Sequence, residues 1–161
     1  MRLFMDSVVA LMLVALLGGV MWHNRTDQTD HRLRDTTQGE VRRFQQQVAL
    51  QSTLGKVERN ERGYPQTIDP AWFQGALPQN PLLDVTHPWL EIASPDQKEL
   101  LHPIQRIATD KKLAKFWYNP HMGVIRARVP MGVSDEATLQ MYNYVNDCDL
   151  PDIFAATALI K

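Results

Sequence analysis

Five histidines, one cysteine and a short acidic run are the residues whose types could carry out chemistry, and their spacing limits what that chemistry can be. His23, His31, His87, His102 and His121 are scattered along the chain, with no pair at helical ligand spacing and no Cys-x-x-Cys. A zinc site draws its ligands from such closely spaced sets, so none is expected. Cys148 has no activating base beside it in sequence and reads as an inert, packed thiol. As the only cysteine it cannot form an internal disulfide, which leaves the redox compartment open. The chain has no Gly-x-Ser-x-Gly and no glycine-rich phosphate loop. Oxygen ligands do cluster in Asn146-Asp147-Cys148-Asp149-Leu150-Pro151-Asp152, where Asp147, Asp149 and Asp152 could face a calcium ion. That stretch lacks the ligand series and the turn glycine of a calcium loop, and Asp and Asn are ordinary turn formers at a helix end. The expectation is therefore a capping turn, no catalytic, metal or cofactor-binding residue, no cofactor, and a protein that is not an enzyme.

Composition narrows the partners. A net charge of -1, with 17 basic and 18 acidic residues, offers no basic excess for nucleic acid and no acidic tail. No small-molecule substrate is indicated. Trp72, Phe73, Trp89, Phe116, Trp117 and Tyr118 form an aromatic-rich set that reads as core, with an exposed contact face as the alternative. A length of 161 residues allows one modest globular domain and an appendage.

The appendage is the N-terminus. Val8–Trp22 reads VVALMLVALLGGVMW without a charge, and counting back to Leu3 extends it to about the twenty residues that span a bilayer core. Asp6 lies near one end, where a carboxylate reaches the headgroups, and Trp22-His23 suits the opposite interface. A cleaved signal peptide fits poorly, because Gly18 and Gly19 are the only small residues available for cleavage. A buried core helix of this length would need a larger domain. An uncleaved single-pass anchor is expected, its short N-terminus inside and its C-terminal part exported. The flanking charges support that orientation weakly, since Arg25, Arg32 and Arg34 are offset by Asp27, Asp30 and Asp35.

Residues 28–60 contain no proline and are rich in helix formers. Leu33, Val41, Phe44, Val48, Leu54 and Val57 fall on one apolar stripe, so the spacing predicts an amphipathic helix. Gly39 is a candidate kink, and Gly63 with Pro65 is the expected stop. Prolines from Pro65 to Pro103 then exclude long helices, leaving a turn around Ala71–Gly75, a short strand at Trp89–Ala93 and a helical turn at Gln97–Leu101. Lys115–Tyr118 and Val124–Val129 flank an NPHMG turn and read as a β-hairpin. On its second strand Ile125, Ala127 and Val129 should face the core, with Arg126 and Arg128 facing solvent or a partner. Ser134 or Asp135 can cap a last helix, whose apolar side carries Leu139, Tyr142 and Val145, extended by Met141 and Tyr144. Pro151 bars its continuation, and Ile153-Phe154-Ala155-Ala156 should pack back. The expected organisation is a transmembrane segment over 1–23, an amphipathic helix over 24–62 and a small α+β head over 63–161.

This layout resembles the type IV pilin and type II secretion pseudopilin superfamily. Asn60, Gly63, Tyr64 and Pro65 stand in an order related to the family's junction between helix and head. Leu77-Pro78-Gln79-Asn80-Pro81-Leu82 resembles the proline-rich stretch that follows, and Phe116–Pro120 with Gly123 resembles the head hairpin. The resemblance implies an α+β fold, with a long N-terminal helix laid on a small antiparallel sheet. It also implies a bacterial inner-membrane protein with a periplasmic head. Its partners would be the lipid bilayer and other pilin-like subunits, contacted through Val8–Trp22 and through Arg126 and Arg128. Some pseudopilins also hold calcium in their C-terminal loop. One departure is plain: no Gly precedes Phe4, and Asp6 lies two residues after it where the family acid lies four after. The family's processing motif is thus degenerate in this sequence. The alternative is a freestanding bitopic protein whose pilin-like head binds another envelope protein.

Overall fold

The computed structural model describes residues 2–154, with side chains at Met12 and from Gln28 onward. The chain divides into two compact units, Met1–Leu33 and Arg34–Lys161. Helix α1 runs Arg2–Leu54 and contributes to both. Among the described residues no helix is long and apolar enough to cross a membrane. The span expected at Val8–Trp22 lies outside the described side chains, as does the tail from Ala155.

The C-terminal end of α1 differs from the expected one. The helix stops at Leu54, not at Gly63. Gly55 adopts φ +67° and its N–H reaches back to the Gln51 carbonyl at 3.3 Å, an ending that a residue without a Cβ takes at no steric cost. Gly63, also at positive φ, serves a separate turn, in which Asn60 N–H donates to the Tyr64 carbonyl at 2.8 Å and Arg59 bridges Pro65. Gly39 stays within the helix.

In the second unit three strands form one sheet in the order β1 (Leu90–Ile92), β2 (Phe116–Asn119), β3 (Val124–Ala127). The expected hairpin is present, with Phe116 opposite Ala127 and Asn119 opposite Val124. The sheet is mixed, however, because β1 runs parallel to β2, pairing Leu90 with Phe116 and Ile92 with Tyr118. The reason is topological: a tight turn reverses the chain between β2 and β3, while the long segment after β1 returns it to the end from which β1 started. Along the outer edge of β3's continuation, Ile107 bridges Val129 in parallel.

Val41, Phe44 and Val48 of α1 are buried, and Phe44 is the hub of the core. Its ring lies 5.2 Å from Phe73 and 5.6 Å from Phe116, both edge-on, and stacks on Trp89 at 5.5 Å. The buried stripe is shorter than expected: Leu54 is half exposed, and Thr37 is buried one turn before Val41. Helix α2 (Asp135–Asn146) starts where Ser134 Oγ accepts from Ala137 N–H at 3.1 Å, and ends at Asp147 in the left-handed region. It buries Met141, Tyr142 and Val145, whereas Tyr144 lies outside the core and donates its hydroxyl to Asp35.

Gly123 closes the β2–β3 turn at φ +64°, and the Tyr64 ring lies where its Cβ would be. Gly123→Ala should therefore combine left-handed backbone strain with a displaced ring and lower stability by about 2–4 kcal/mol. Denaturant unfolding followed by tryptophan fluorescence checks this. Gly75, at φ +85° with open space around it, is the comparison, and Gly75→Ala should incur the backbone cost alone.

Candidate functional site

The junction and the hairpin tip, two of the segments that carry the family resemblance, meet in space. Asn60 Oδ1 accepts from Arg62 N–H at 3.0 Å and from Tyr64 N–H at 2.9 Å, while its Nδ2 donates to the Pro120 carbonyl. Tyr118 donates its hydroxyl to the Pro65 carbonyl at 2.7 Å. These bonds fasten the loop after α1 to the turn of the hairpin. Nothing in them is reactive.

Arg126 and Arg128, expected to face solvent or a partner, are engaged within the head, Arg126 half-buried and Arg128 buried. Arg128 is buried; its Nε donates to the Gln105 carbonyl at 2.8 Å, one terminal nitrogen to the Ala114 carbonyl at 2.9 Å, and the other pairs with Glu91 at 2.8 Å. Arg126 Nε donates to the Leu101 carbonyl at 3.2 Å. The alternation was correct in sense, since Ile125, Ala127 and Val129 are buried. What it could not show is that the chain from Leu101 to Ala114 crosses the opposite face, so both faces of β3 are covered.

The acidic run turns the chain out of α2, with Asp147 as the C-cap residue through its backbone. Asp147 accepts from Arg42 Nε at 2.7 Å and from Gln38 Nε2 at 2.7 Å, and Arg42 holds its carboxyl below the ordinary carboxylate range. Asp152 accepts from Phe154 N–H at 2.9 Å, and Asp149 is exposed. The carboxylates of Asp147 and Asp152 are thus engaged with separate partners. Among the described residues no group of three or more His, Cys, Asp or Glu is arranged to hold a metal ion. Cys148 donates to Asn143 Oδ1 at 3.3 Å, and burial pushes its thiol pKa up, away from the thiolate that nucleophilic chemistry needs.

The described histidines form no cluster. His31 is exposed, His87 Nδ1 lies 2.9 Å from the Leu113 carbonyl, and His121 Nε2 lies 3.2 Å from Glu99. The side chain of His23 lies outside those described. His102 is buried, with Nδ1 3.1 Å from the Tyr142 hydroxyl. Of the aromatic set, Phe73, Phe116, Trp117 and Tyr118 are buried, and Trp72 and Trp89 pack half-buried against them.

The surface feature best suited to a contact is a mainly apolar groove of about 180 Å³, lined by Ile104, Ile107, Met131, Ile153 and Phe154 together with the polar Gln105, Arg106 and Thr109. Ile104, Met131 and Phe154 are 60%, 62% and 63% exposed, unusually high for large apolar side chains grouped together. Ile104 and Met131 escape a reading of the sequence because each follows a proline and belongs to no periodic pattern, whereas Phe154 is expected to pack back with Ile153 and only Ile153 is buried.

The fold and this surface define an α+β domain, in which a helix packs on a small mixed sheet and an apolar groove is left open. No protein-family model matches the chain, and neither a curated protein nor a solved structure does.

Proposed function

We propose that this protein is a membrane-anchored, pilin-like or pseudopilin-like structural component of a type II secretion or type IV pilus-type assembly, and not an enzyme. The observation that carries this reading is that one helix, Arg2–Leu54, bears both the uncharged run Val8–Trp22 and the buried stripe Val41, Phe44 and Val48. An apolar run of that length suits a bilayer, and a helix sharing its core with a small sheet suits a head carried on a spine. The head would sit in the periplasm and the anchor in the bacterial inner membrane. Because the Arg128 guanidinium is consumed within the head, lateral head contacts would fall to the apolar groove around Ile104, Met131 and Phe154.

Leu3 directly before Phe4, and an acid two residues after it at Asp6, favour a second reading, a freestanding bitopic protein whose head binds another envelope protein. Both readings require the protein to resist alkaline extraction from the envelope fraction. Intact mass and N-terminal sequencing then separate them. A cleaved, methylated terminus, with a ladder of crosslinked subunits, supports assembly. An intact Met1 without a ladder supports the solitary anchor. Recovery in the alkaline supernatant would overturn both.

A further inference from the structure

The segment Leu101–Ala108 is laid across β3 and α2 as a strap. Arg126 holds the Leu101 carbonyl, Arg128 holds the Gln105 carbonyl, and Arg106 donates to the Ile153 carbonyl at 2.6 Å. Its backbone joins the sheet edge where Val129 N–H donates to the Arg106 carbonyl at 3.1 Å and Ala108 N–H to the Val129 carbonyl at 2.9 Å. Within the strap, the His102 ring is buried against the Tyr142 hydroxyl of α2.

The setting of that ring is unusual in its charges. Arg126 from β3 and Arg106 from the strap itself both act on it, α2 presents the neutral Tyr142 hydroxyl, and Cys148 stands beyond that tyrosine. Among the described residues no carboxylate is paired with His102. Asp147 acts on Arg126, but among the described residues no carboxylate acts on the ring itself, so a proton placed there would add a third positive charge to a desolvated site. Arg126 and Arg106 are themselves bonded to backbone carbonyls of the strap and of Ile153, so neither can move away without loosening the same segment.

We infer that Leu101–Ala108 is an acid-released strap, opened by protonation of His102. Opening removes Ile104 and Ile107 from the apolar groove, so acid lowers the fraction of molecules that hold the groove together. Burial and the two guanidiniums lower His102 from 6.5 to about 4 in the closed form. The open form therefore binds the proton more tightly. Closure keeps its full stability above pH 6.5 and loses it progressively as the pH falls toward 4. Between pH 7 and pH 5 the opening equilibrium should rise on the order of twentyfold.

Amide hydrogen exchange on the full chain in detergent, expressed as protection factors at pH 7 and pH 5, tests this. Protection at the Ala108 and Val129 amides should fall about twentyfold, while the Ala93 and Phe116 amides of the β1–β2 pairing keep theirs. His102→Gln should flatten the response. If that variant does not fold, ring-carbon NMR of the wild type decides, because His102 should stay neutral until close to pH 4. A fall shared equally by the sheet amides, or no fall at the strap, or a His102 midpoint near 6.5, would overturn the inference.

Discussion

Replacing Asn146 with leucine is expected to destabilise the head by about 3–5 kcal/mol, although the two side chains are similar in size. Asn146 is buried at the last turn of α2 and works as a stand-in for a fourth strand. Its Oδ1 accepts from Ala127 N–H at 2.7 Å, and its Nδ2 donates to the Ala127 carbonyl at 3.0 Å and to the Tyr142 carbonyl at 3.0 Å. Ala127 lies on the outer edge of β3, where an unsatisfied buried N–H and C=O would each cost about 1–3 kcal/mol. Leucine leaves both without a partner. Asn146→Asp retains the acceptor for the N–H but sets a carboxylate against the Ala127 carbonyl, so it should also lose stability, and lose less once the carboxyl is protonated. Urea unfolding at two pH values reads both effects. A loss under about 1 kcal/mol for the leucine variant would mean that water takes over the amide's bonds.

The second large effect is expected at Phe44. Phe44→Ala should cost about 3–5 kcal/mol, because the ring fills the space between α1 and three other rings. Phe73, Trp89 and Phe116 all have centroids within 5.6 Å of it, and they come from three separate segments that could not close the gap together. Phe44→Leu should cost much less, roughly 1–2 kcal/mol, since most of the volume stays. Leu54→Ala lies on the same helix and was placed on the same stripe by spacing, yet it is half exposed. It should change stability by less than about 0.5 kcal/mol. Denaturant midpoints at unchanged slope separate the three, and equal losses at Phe44 and Leu54 would refute the packing described for α1.

Elements with a strong local signal were legible in the sequence. The apolar steps of Val41, Phe44 and Val48 follow the helical period, and the turn chemistry of Pro120 and Gly123 sets the hairpin. Ser134 likewise marks the start of α2 through a bond to its own first turn. Each is written in a few neighbouring residues. Helix ends were harder to place: both Gly55 and Gly63 can terminate a helix, and choosing between them depended on where the stripe finds a sheet to pack against.

Tertiary structure alone decided the remainder. The parallel pairing of β1 with β2 rests on the path of a connection that carries no periodicity. Arg128 alternates outward in sequence, yet it is buried because the chain from Leu101 to Ala114 returns over that face and supplies carbonyl acceptors for its guanidinium. Asn146 and Asp147 read together as a candidate ligand run. In the fold, the Asn146 amide satisfies the edge of β3, and the Asp147 carboxylate takes Arg42 as its partner. His102 is one of five scattered histidines until the strap buries it against the Tyr142 hydroxyl, where Arg126 and Arg106 act on it electrostatically. The sequence by itself determined that an amphipathic helix, a hairpin turn and a capped last helix exist, because those signals arise between neighbours. Partners for buried polar groups come from distant segments, so only the assembled chain could decide them.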